Sequence, residues 1–175
     1  QQHGYRVIVH YRYSKSEAMH LVEQLNHKQS DSALAIYGDL ADTATLPAII
    51  EQAMQFAGRL DLLVNNASSF YPTPIGEITE QQWDELQASN VKAAFFLAQA
   101  AYPFLQRHQG NIVNIIDIHA ETAMREYSVY CIAKAGLLMA TKALAKEMAP
   151  HVRVNGISPG AIIWPEGMNL SLIHI

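Results

Sequence analysis

The side chains best suited to chemistry in this sequence are Tyr130 and Lys134. They stand four residues apart in a run with helical spacing, so we expect them to share one face of a helix. A free phenol titrates at a pH of about 10, and a neighbouring ammonium stabilises its anion. Lys134 is therefore expected to lower the pKa of Tyr130, and the pair could exchange a proton with a substrate. The pair could equally be a half-buried helix tyrosine beside a solvated lysine.

Further polar motifs accompany this pair in a fixed order. The motif NNAS (65–68) ends one apolar run, and RVNGISPG (153–160) contains another. Asn90 lies in a long helical segment, and Asp117 ends an apolar segment thirteen residues before Tyr130. Asp117 could donate or relay a proton, or it could cap the loop that follows its segment. These residues can act together only if the fold brings distant segments to one place.

The elements that must position these residues alternate along the chain. β-Branched apolar runs predict strands, and apolar residues three to four apart predict helices. The strands are predicted at 5–11, 33–37, 60–65, 111–117 and 152–157, and the helices at 14–28, 45–56, 80–107 and 126–148, with Pro103 as a kink. This alternation predicts an α/β fold with a parallel sheet and right-handed crossovers.

The motifs NNAS, Asn90, Asp117, YCIAK (130–134) and RVNGISPG, in this order, resemble the short-chain dehydrogenase/reductase family over about residues 4–167. The resemblance implies a Rossmann-like, doubly wound parallel sheet. It implies catalytic roles for Asn90, Tyr130 and Lys134, in which Lys134 orients the nicotinamide ribose and Asn90 holds a water that links Lys134 to solvent.

Parts of that family's pattern have no counterpart here. No Gly-x-Gly occurs anywhere in the chain, so the glycine-rich turn is missing, together with the first strand before it and the C-terminal strand. We therefore interpret residues 1–175 as a single, incomplete NADP-binding domain. Residues 170–175 have no family character that we can place, and we interpret them as a non-native tail.

Asp117 occupies the position of the family's usual catalytic serine. An ionised carboxylate there would repel a developing alkoxide, whereas it suits a substrate whose ring nitrogen must gain a proton. The stretch SSFYPTP (68–74) also resembles the pteridine reductases of this family. That resemblance implies that Phe70 stacks on a flat pterin and that Ser68 contacts the cofactor or the pterin. Phe70 could instead merely pack its loop. The predicted substrate site is Ser68, Phe70, Asp117 and Tyr130.

The segment HYRYS (10–14) is expected to select the cofactor. In a doubly wound fold, an acid after the second strand binds the ribose hydroxyl of NAD, whereas an arginine accommodates the phosphate of NADP. No acid follows this strand until Glu17, while Arg12 offers a fork of donors and Ser14 a hydroxyl near a helix N-terminus. NADPH is therefore expected, although the segment could be a solvated loop. With the contacts implied by the resemblance, the predicted cofactor residues are His10, Arg12, Ser14, Asp39, Leu40, Asn66, Ala67, Ser68, Tyr130, Lys134, Pro159 and Gly160.

Composition restricts the partners. The net charge is −4 and the pI is about 6.0, which does not favour a nucleic-acid-binding protein. We see no apolar run long enough to span a membrane and no signal peptide, and the one cysteine, Cys131, fits a reducing compartment. We expect a cytoplasmic protein with a small-molecule substrate, and we assign no residue to a metal.

The sequence is thus interpreted as an NADPH-dependent reductase of pterins, and of dihydrofolate-like compounds. Two alternatives stay open. One is a general carbonyl or 3-oxoacyl reductase of the same family, and the other is an inactive fragment or a module that only senses nucleotide. The resemblance also implies a homotetramer of the full-length protein, assembled through the helices at 80–107 and 126–148.

Overall fold

The computed structural model describes residues 4–160, in which parallel strands alternate with helices. The strands are β1 (Val7–Tyr11), β2 (Ala33–Tyr37), β3 (Leu62–Asn65), β4 (Asn111–Ile115) and β5 (Arg153–Ile157). The helices are α1 (Lys15–Lys28), α2 (Leu46–Ala57), α3 (Glu80–Gln87), α4 (Ala93–Leu105) and α5 (Ser128–Glu147). The α/β class and the Rossmann-like fold are confirmed, and every strand pair in this part of the chain is parallel.

The sheet is in two pieces. β1 pairs with β2, and β3, β4 and β5 pair in that order. Between β1 and β3 lies a cleft of about 890 Å³, lined by residues of both strands, including Ile8 and Val64. The chain leaves β1 for β2 on one side of this cleft and returns to β3 on the other. The lining runs along the whole length of both strands, from Arg6 and Asp61 at their amino ends to His10 and Asn66 at their carboxyl ends. Open α/β sheets bind their ligands outside the carboxyl ends of the strands, so only that end of the cleft corresponds to a ligand site.

The main core fills one face of both sheet pieces. Ile36 on β2, Ile112 on β4 and Val154 on β5 pack against buried residues of α2, α4 and α5. α1 packs against β1 and β2, and it buries Ala18 and Val22 outside this core. The structure describes no helix on the α1 side of β3. Leu62 and Val64 are therefore 43% and 49% exposed, although their strand is nearly all apolar.

The long helix predicted at 80–107 is divided. Thr79 begins α3 with a capping box, in which its side chain accepts from the Gln82 backbone and Gln82 bonds back to the Thr79 backbone. A π-helical turn at Ala88–Lys92, with Asn90 at its centre, separates α3 from α4. α4 continues past Pro103 to Leu105, and a 3₁₀ turn follows at Gln106–His108. Short π-helical segments are frequent at functional sites.

One helix of the described part, α5, is long and apolar enough to cross a membrane by length and composition alone. The sequence analysis found no such run. The same criterion is met by core helices of globular proteins, and α5 buries Val129, Ala133 and Leu137 inside the fold. The criterion is therefore weak evidence for a membrane span.

Candidate active site

Asp117 and Tyr130 meet directly. The predicted strand 111–117 ends at Ile115, so Asp117 lies beyond β4 and begins the 3₁₀ turn Ile118–Ala120, where its Oδ1 accepts from the His119 backbone at 2.8 Å. Its other oxygen, Oδ2, accepts a hydrogen bond from the Tyr130 hydroxyl at 2.7 Å. Asp117 therefore caps its loop and also holds the phenol, so the two readings of its role are compatible.

Lys134 lies one turn further along α5. Its side chain is 3% exposed, and its Nζ donates to the Ile115 backbone carbonyl at 3.0 Å and sits 5.7 Å from the centroid of the Tyr130 ring. The ammonium thus faces the ring of Tyr130, whereas the hydroxyl turns to Asp117. Burial lowers the pKa of Lys134, and the charge of Asp117 opposes this change.

The pKa of Tyr130 changes in the direction opposite to the sequence expectation. Burial raises it well above the ordinary phenol value, and the hydrogen bond to Asp117 and the negative charge of that carboxylate raise it further. The expectation that Lys134 lowers this pKa is wrong for this arrangement, because the carboxylate bonds the hydroxyl directly. Tyr130 is consequently a protonated hydrogen-bond donor here, and not a phenolate.

An aromatic cluster lies over this pair. The ring of Phe70, which is 52% exposed, stacks on Tyr127 with centroids 4.6 Å apart and an interplanar angle of 15°. The same ring meets the edge of Tyr130 at 4.9 Å and 76°. Sequence reasoning missed Tyr127, although its position three residues before Tyr130 places both on one side of the start of α5. A flat aromatic surface therefore borders the acid–base group.

Hydrogen bonds to several elements anchor the loop that carries Phe70, among them those of the Tyr71 hydroxyl to Gln82 and Glu85 of α3. The Ser68 hydroxyl donates to Oδ1 of Asn90 at 2.5 Å, and Nδ2 of Asn90 donates to the Ser69 carbonyl at 3.0 Å. The Thr73 backbone donates to the Glu126 carbonyl just before α5. The buried Asn90 side chain thus positions the loop. The predicted water link between Asn90 and Lys134 stays a prediction.

A row of buried amides ties β3, β4 and α5 together beneath the site. Nδ2 of Asn65 donates to Oδ1 of Asn114 at 2.8 Å, and Nδ2 of Asn114 donates to Oγ1 of Thr141 at 2.8 Å. The Thr141 hydroxyl in turn donates to the Leu137 carbonyl. Oδ1 of Asn65 is buried without a partner beside the cleft. These bonds fix the strand ends from which the site residues project.

The predicted cofactor residues lie along one edge of the fold. His10, Leu40, Asn66 and Ala67 line the cleft between β1 and β3, as does Asn90 of the predicted catalytic set. Pro159 follows β5, and its carbonyl accepts from the Ile118 backbone at 3.4 Å, next to Asp117. Gly160 is the last described residue. Ser14 occupies the N-cap position of α1, but its side chain makes no capping hydrogen bond.

The end of this edge beyond β1 and β2 contains one contact that sequence reasoning missed. Nη2 of Arg12 and Oδ2 of Asp39 form an ion pair at 2.7 Å, and the Arg12 guanidinium lies 4.7 Å from the centroid of the Tyr13 ring. Nε2 of His10 bonds the Gly38 carbonyl at 2.9 Å, and burial lowers the pKa of this imidazole. Pairing β1 with β2 brings Arg12 and Asp39 together, and no local motif of either strand could have indicated it.

Comparisons with known proteins agree with this geometry. A family model described as short chain dehydrogenase matches residues 1–169. The chain belongs to the short-chain dehydrogenase family. It is 32% identical to pteridine reductase 1 of Leishmania tarentolae, with 97% of this chain and 72% of that protein covered. It is 34% identical to a 3-oxoacyl-[acyl-carrier-protein] reductase FabG of Staphylococcus aureus, with 93% and 66% covered.

A solved structure shares the fold of this short-chain dehydrogenase. An apo SCOR enzyme from Clostridium thermocellum superimposes with a TM-score of 0.81 at 29% identity, covering 91% of this chain and 63% of that one. The chain thus spans about two thirds of the length of the proteins it matches. The two curated relatives have different substrates by name at similar identity, so overall similarity does not decide between a pterin and an acyl-carrier substrate.

Proposed function

We propose that the protein containing this chain is an NADPH-dependent reductase of pterins, and of dihydrofolate-like compounds. The hydrogen bond between the Tyr130 hydroxyl and Oδ2 of Asp117, bordered by the Phe70 ring, carries the proposal. It places a protonated phenol and a carboxylate side by side. A carbonyl reductase would need only hydrogen-bond donors at this position, because a carboxylate repels the developing alkoxide. Reduction of a ring C=N bond requires one proton at nitrogen, and this pair can deliver it.

The chain offers residues for some parts of NADPH and none that we recognise for its pyrophosphate. His10, Leu40, Asn66 and Ala67 line the cleft between β1 and β3 at the carboxyl ends of the strands, and Asn65, which also lines it, has a buried oxygen without a partner. These polar groups suit a polar ligand at that end. The sequence holds no glycine-rich turn for a pyrophosphate. NADPH, when bound, supplies a hydride to the ring carbon.

The residues of this chain would divide the remaining work. Phe70 offers its exposed face to a flat ring, while Ser68 and Asn90 keep its loop in place. Tyr130 gives its proton to the ring nitrogen, and Asp117, the hydrogen-bond partner of the phenol, passes on the replacement proton. Lys134, buried and bonded to the Ile115 carbonyl, keeps a positive charge near the ring of Tyr130 and can orient a ribose.

Exchange of Asp117 in the whole protein tests this function. Asp117→Asn keeps one oxygen, which can accept from the His119 backbone, but replaces the oxygen that accepts from Tyr130 by an amide group that cannot relay a proton, so dihydropterin turnover is expected to fall at least about a hundredfold. Asp117→Ser installs the serine of other family members and should raise turnover of a ketoester relative to that of a pterin. Circular dichroism of both variants should match the parent protein. Unchanged pterin turnover in Asp117→Asn would refute the proton relay.

The runner-up is a 3-oxoacyl or general carbonyl reductase, which the similarity to the FabG protein favours. In that case the parent protein would reduce a ketoester faster than dihydrobiopterin, and Asp117→Ser would increase that rate further. The third alternative is a polypeptide that binds nucleotide without reducing a substrate. It predicts nucleotide binding with no turnover of either compound. The cytoplasmic location and the homotetramer belong to the same proposal and stay predictions.

A further inference from the structure

The pairing of β1 with β2 places opposite charges at the nucleotide end of the fold. Tyr11 and Tyr37 are partners in the parallel register, so the chain leaves both strands at the same edge. Arg12 follows one strand directly, and Asp39 lies two residues after the other. Oδ1 of Asp39 accepts from the Ala41 backbone at 2.9 Å, which leaves Oδ2 for Nη2 of Arg12 at 2.7 Å.

The ion pair with Asp39 orients Arg12 and leaves most of the guanidinium donors free. A guanidinium has five N–H donors, and the ion pair engages one of its terminal nitrogens. The Tyr13 ring, 4.7 Å from the guanidinium, gives the cation a second contact. Both charged side chains remain about one third exposed, at 39% for Arg12 and 34% for Asp39. An incoming anion can therefore still reach the free donors of Arg12.

We propose that Asp39 sets the cofactor selectivity of this site through Arg12, so that the site accepts nucleotides with and without a 2′-phosphate. This inference rests on the proposed nucleotide binding. When a nucleotide with only a 2′-hydroxyl binds, Arg12 keeps its ion pair with Asp39. Binding therefore does not bury the positive charge of Arg12 without a negative partner. A 2′-phosphate gains the free donors of Arg12 but is repelled by the carboxylate on the same guanidinium. Both effects reduce the ratio between the affinity for a nucleotide with a 2′-phosphate and the affinity for one without it.

The test compares 2′,5′-ADP with 5′-AMP, which differ only in the 2′-phosphate, by titration calorimetry on the whole protein. The parent protein is expected to bind 2′,5′-ADP more tightly by no more than about thirtyfold. Asp39→Asn keeps one oxygen, which can accept from the Ala41 backbone, and removes both the negative charge and the ion pair with Arg12. The ratio of its affinities for 2′,5′-ADP and 5′-AMP should rise about tenfold, because a dianion then meets one repelling charge fewer. This ratio is the readout, because Asp39 is itself a predicted cofactor residue and its exchange can change the binding of the adenosine part that the two nucleotides share.

Asp42→Asn is a matched control from the same loop. Asp42 accepts from the Ala44 backbone as Asp39 does from Ala41, and it has no ion pair in the described part of the chain. This variant should leave the ratio of the two affinities unchanged, whereas Arg12→Gln should abolish the preference for 2′,5′-ADP. If Asp39→Asn leaves the ratio unchanged, or if the parent preference exceeds about thirtyfold, the inference is overturned while nucleotide binding stands. If neither nucleotide binds the parent protein, the proposed function falls as well.

Discussion

At the scale of single residues, the pair formed by Tyr130 and Asp117 determines which proton is available. The phenol is kept neutral because its anion would be buried beside a carboxylate. A neutral phenol that already donates to a carboxylate is a ready proton source, provided that the carboxylate can accept another proton from solvent. Lys134 points its charge at the ring and the Ile115 carbonyl, so it contributes to binding and orientation more than to ionisation of the phenol.

Tyr130 should leave a signature in alkaline unfolding. Its pKa is raised in the folded state, so its contribution to stability is fully present below the unfolded value, at a pH of about 10, and is lost as the pH rises above it. The free energy of unfolding of the parent chain, minus that of Tyr130→Phe, should therefore be constant below a pH of about 9.5 and fall above it. The slope should stay below about 1.4 kcal/mol per pH unit, because a single phenol can change the number of bound protons by at most one.

Urea titrations at several pH values would measure this difference. The other tyrosines and lysines titrate in both proteins and cancel in the subtraction. A difference that is independent of pH up to about 11 would mean that the pKa of Tyr130 is not raised.

Single residues also show where sequence reasoning reaches its limit. Asp117 and Tyr130 were assigned to one site because each sits in a motif with a recognisable position. The ion pair of Arg12 with Asp39 was not foreseen, because it depends on the register of two strands. The direction of the Tyr130 pKa was missed for a similar reason. It depends on which neighbour the hydroxyl reaches, and that is a tertiary property.

At the scale of elements, two breaks in regular secondary structure position the site residues, together with buried hydrogen bonds. One break is the π-helical turn between α3 and α4, and the other is the end of β4 before Asp117. The predicted helix 80–107 was continuous because its apolar spacing does not reveal a π-helical turn. The turn places Asn90 where it can bond the loop of Ser68. Strand and helix existence could be predicted from periodicity, whereas the early end of β4, at Ile115, could not. Asp117 leaves the strand because its carboxylate caps the following turn.

Asn114 is expected to contribute strongly to the stability of the fold through its buried hydrogen bonds on β4. Asn114→Leu would remove its bonds to Asn65 and Thr141 and leave a buried amide with a poorer set of partners. The free energy of unfolding should fall by about 2–3 kcal/mol, measured by denaturant titration. Asn111→Leu, on the same strand, is the control, because Oδ1 of Asn111 is buried without a partner and its loss should cost less than about 1 kcal/mol. Equal losses for both variants would contradict the role given to the amide row.

At the scale of the whole molecule, two helices leave apolar side chains in solvent. Phe95 and Phe96 on α4 are 37% and 38% exposed, and Ile132 and Met139 on α5 are 50% and 63% exposed. Core helices of a lone domain rarely expose such residues together, whereas an interface between subunits would cover them. The overall α/β order could be predicted from sequence. Which apolar positions face outward could not, because helical periodicity alone does not distinguish core from interface.

Assembly through these helices can be tested by light scattering after size exclusion. The double variant Ile132→Glu with Met139→Glu should lower the mass of the whole protein from that of a tetramer towards a dimer or monomer, because charges would be buried at the contact. The control double variant Met19→Glu with Leu21→Glu changes exposed apolar residues on α1 and should keep the parent mass. A parent protein that is monomeric at all concentrations would refute the assembly.

The cleft between β1 and β3 favours association of the purified polypeptide through unpaired strand edges. Within residues 4–160, β1 has a partner only in β2 and β3 only in β4, so each presents a bare row of backbone donors and acceptors. Such rows are templates that recruit extended segments of other chains. β2 and β5 likewise have one partner each in this part of the chain, so four strands present such a row. A molecule with more than one open row can be extended at several places, which is the requirement for growth into fibres. The soluble yield of these 175 residues should therefore be limited by concentration and not by the stability of the core.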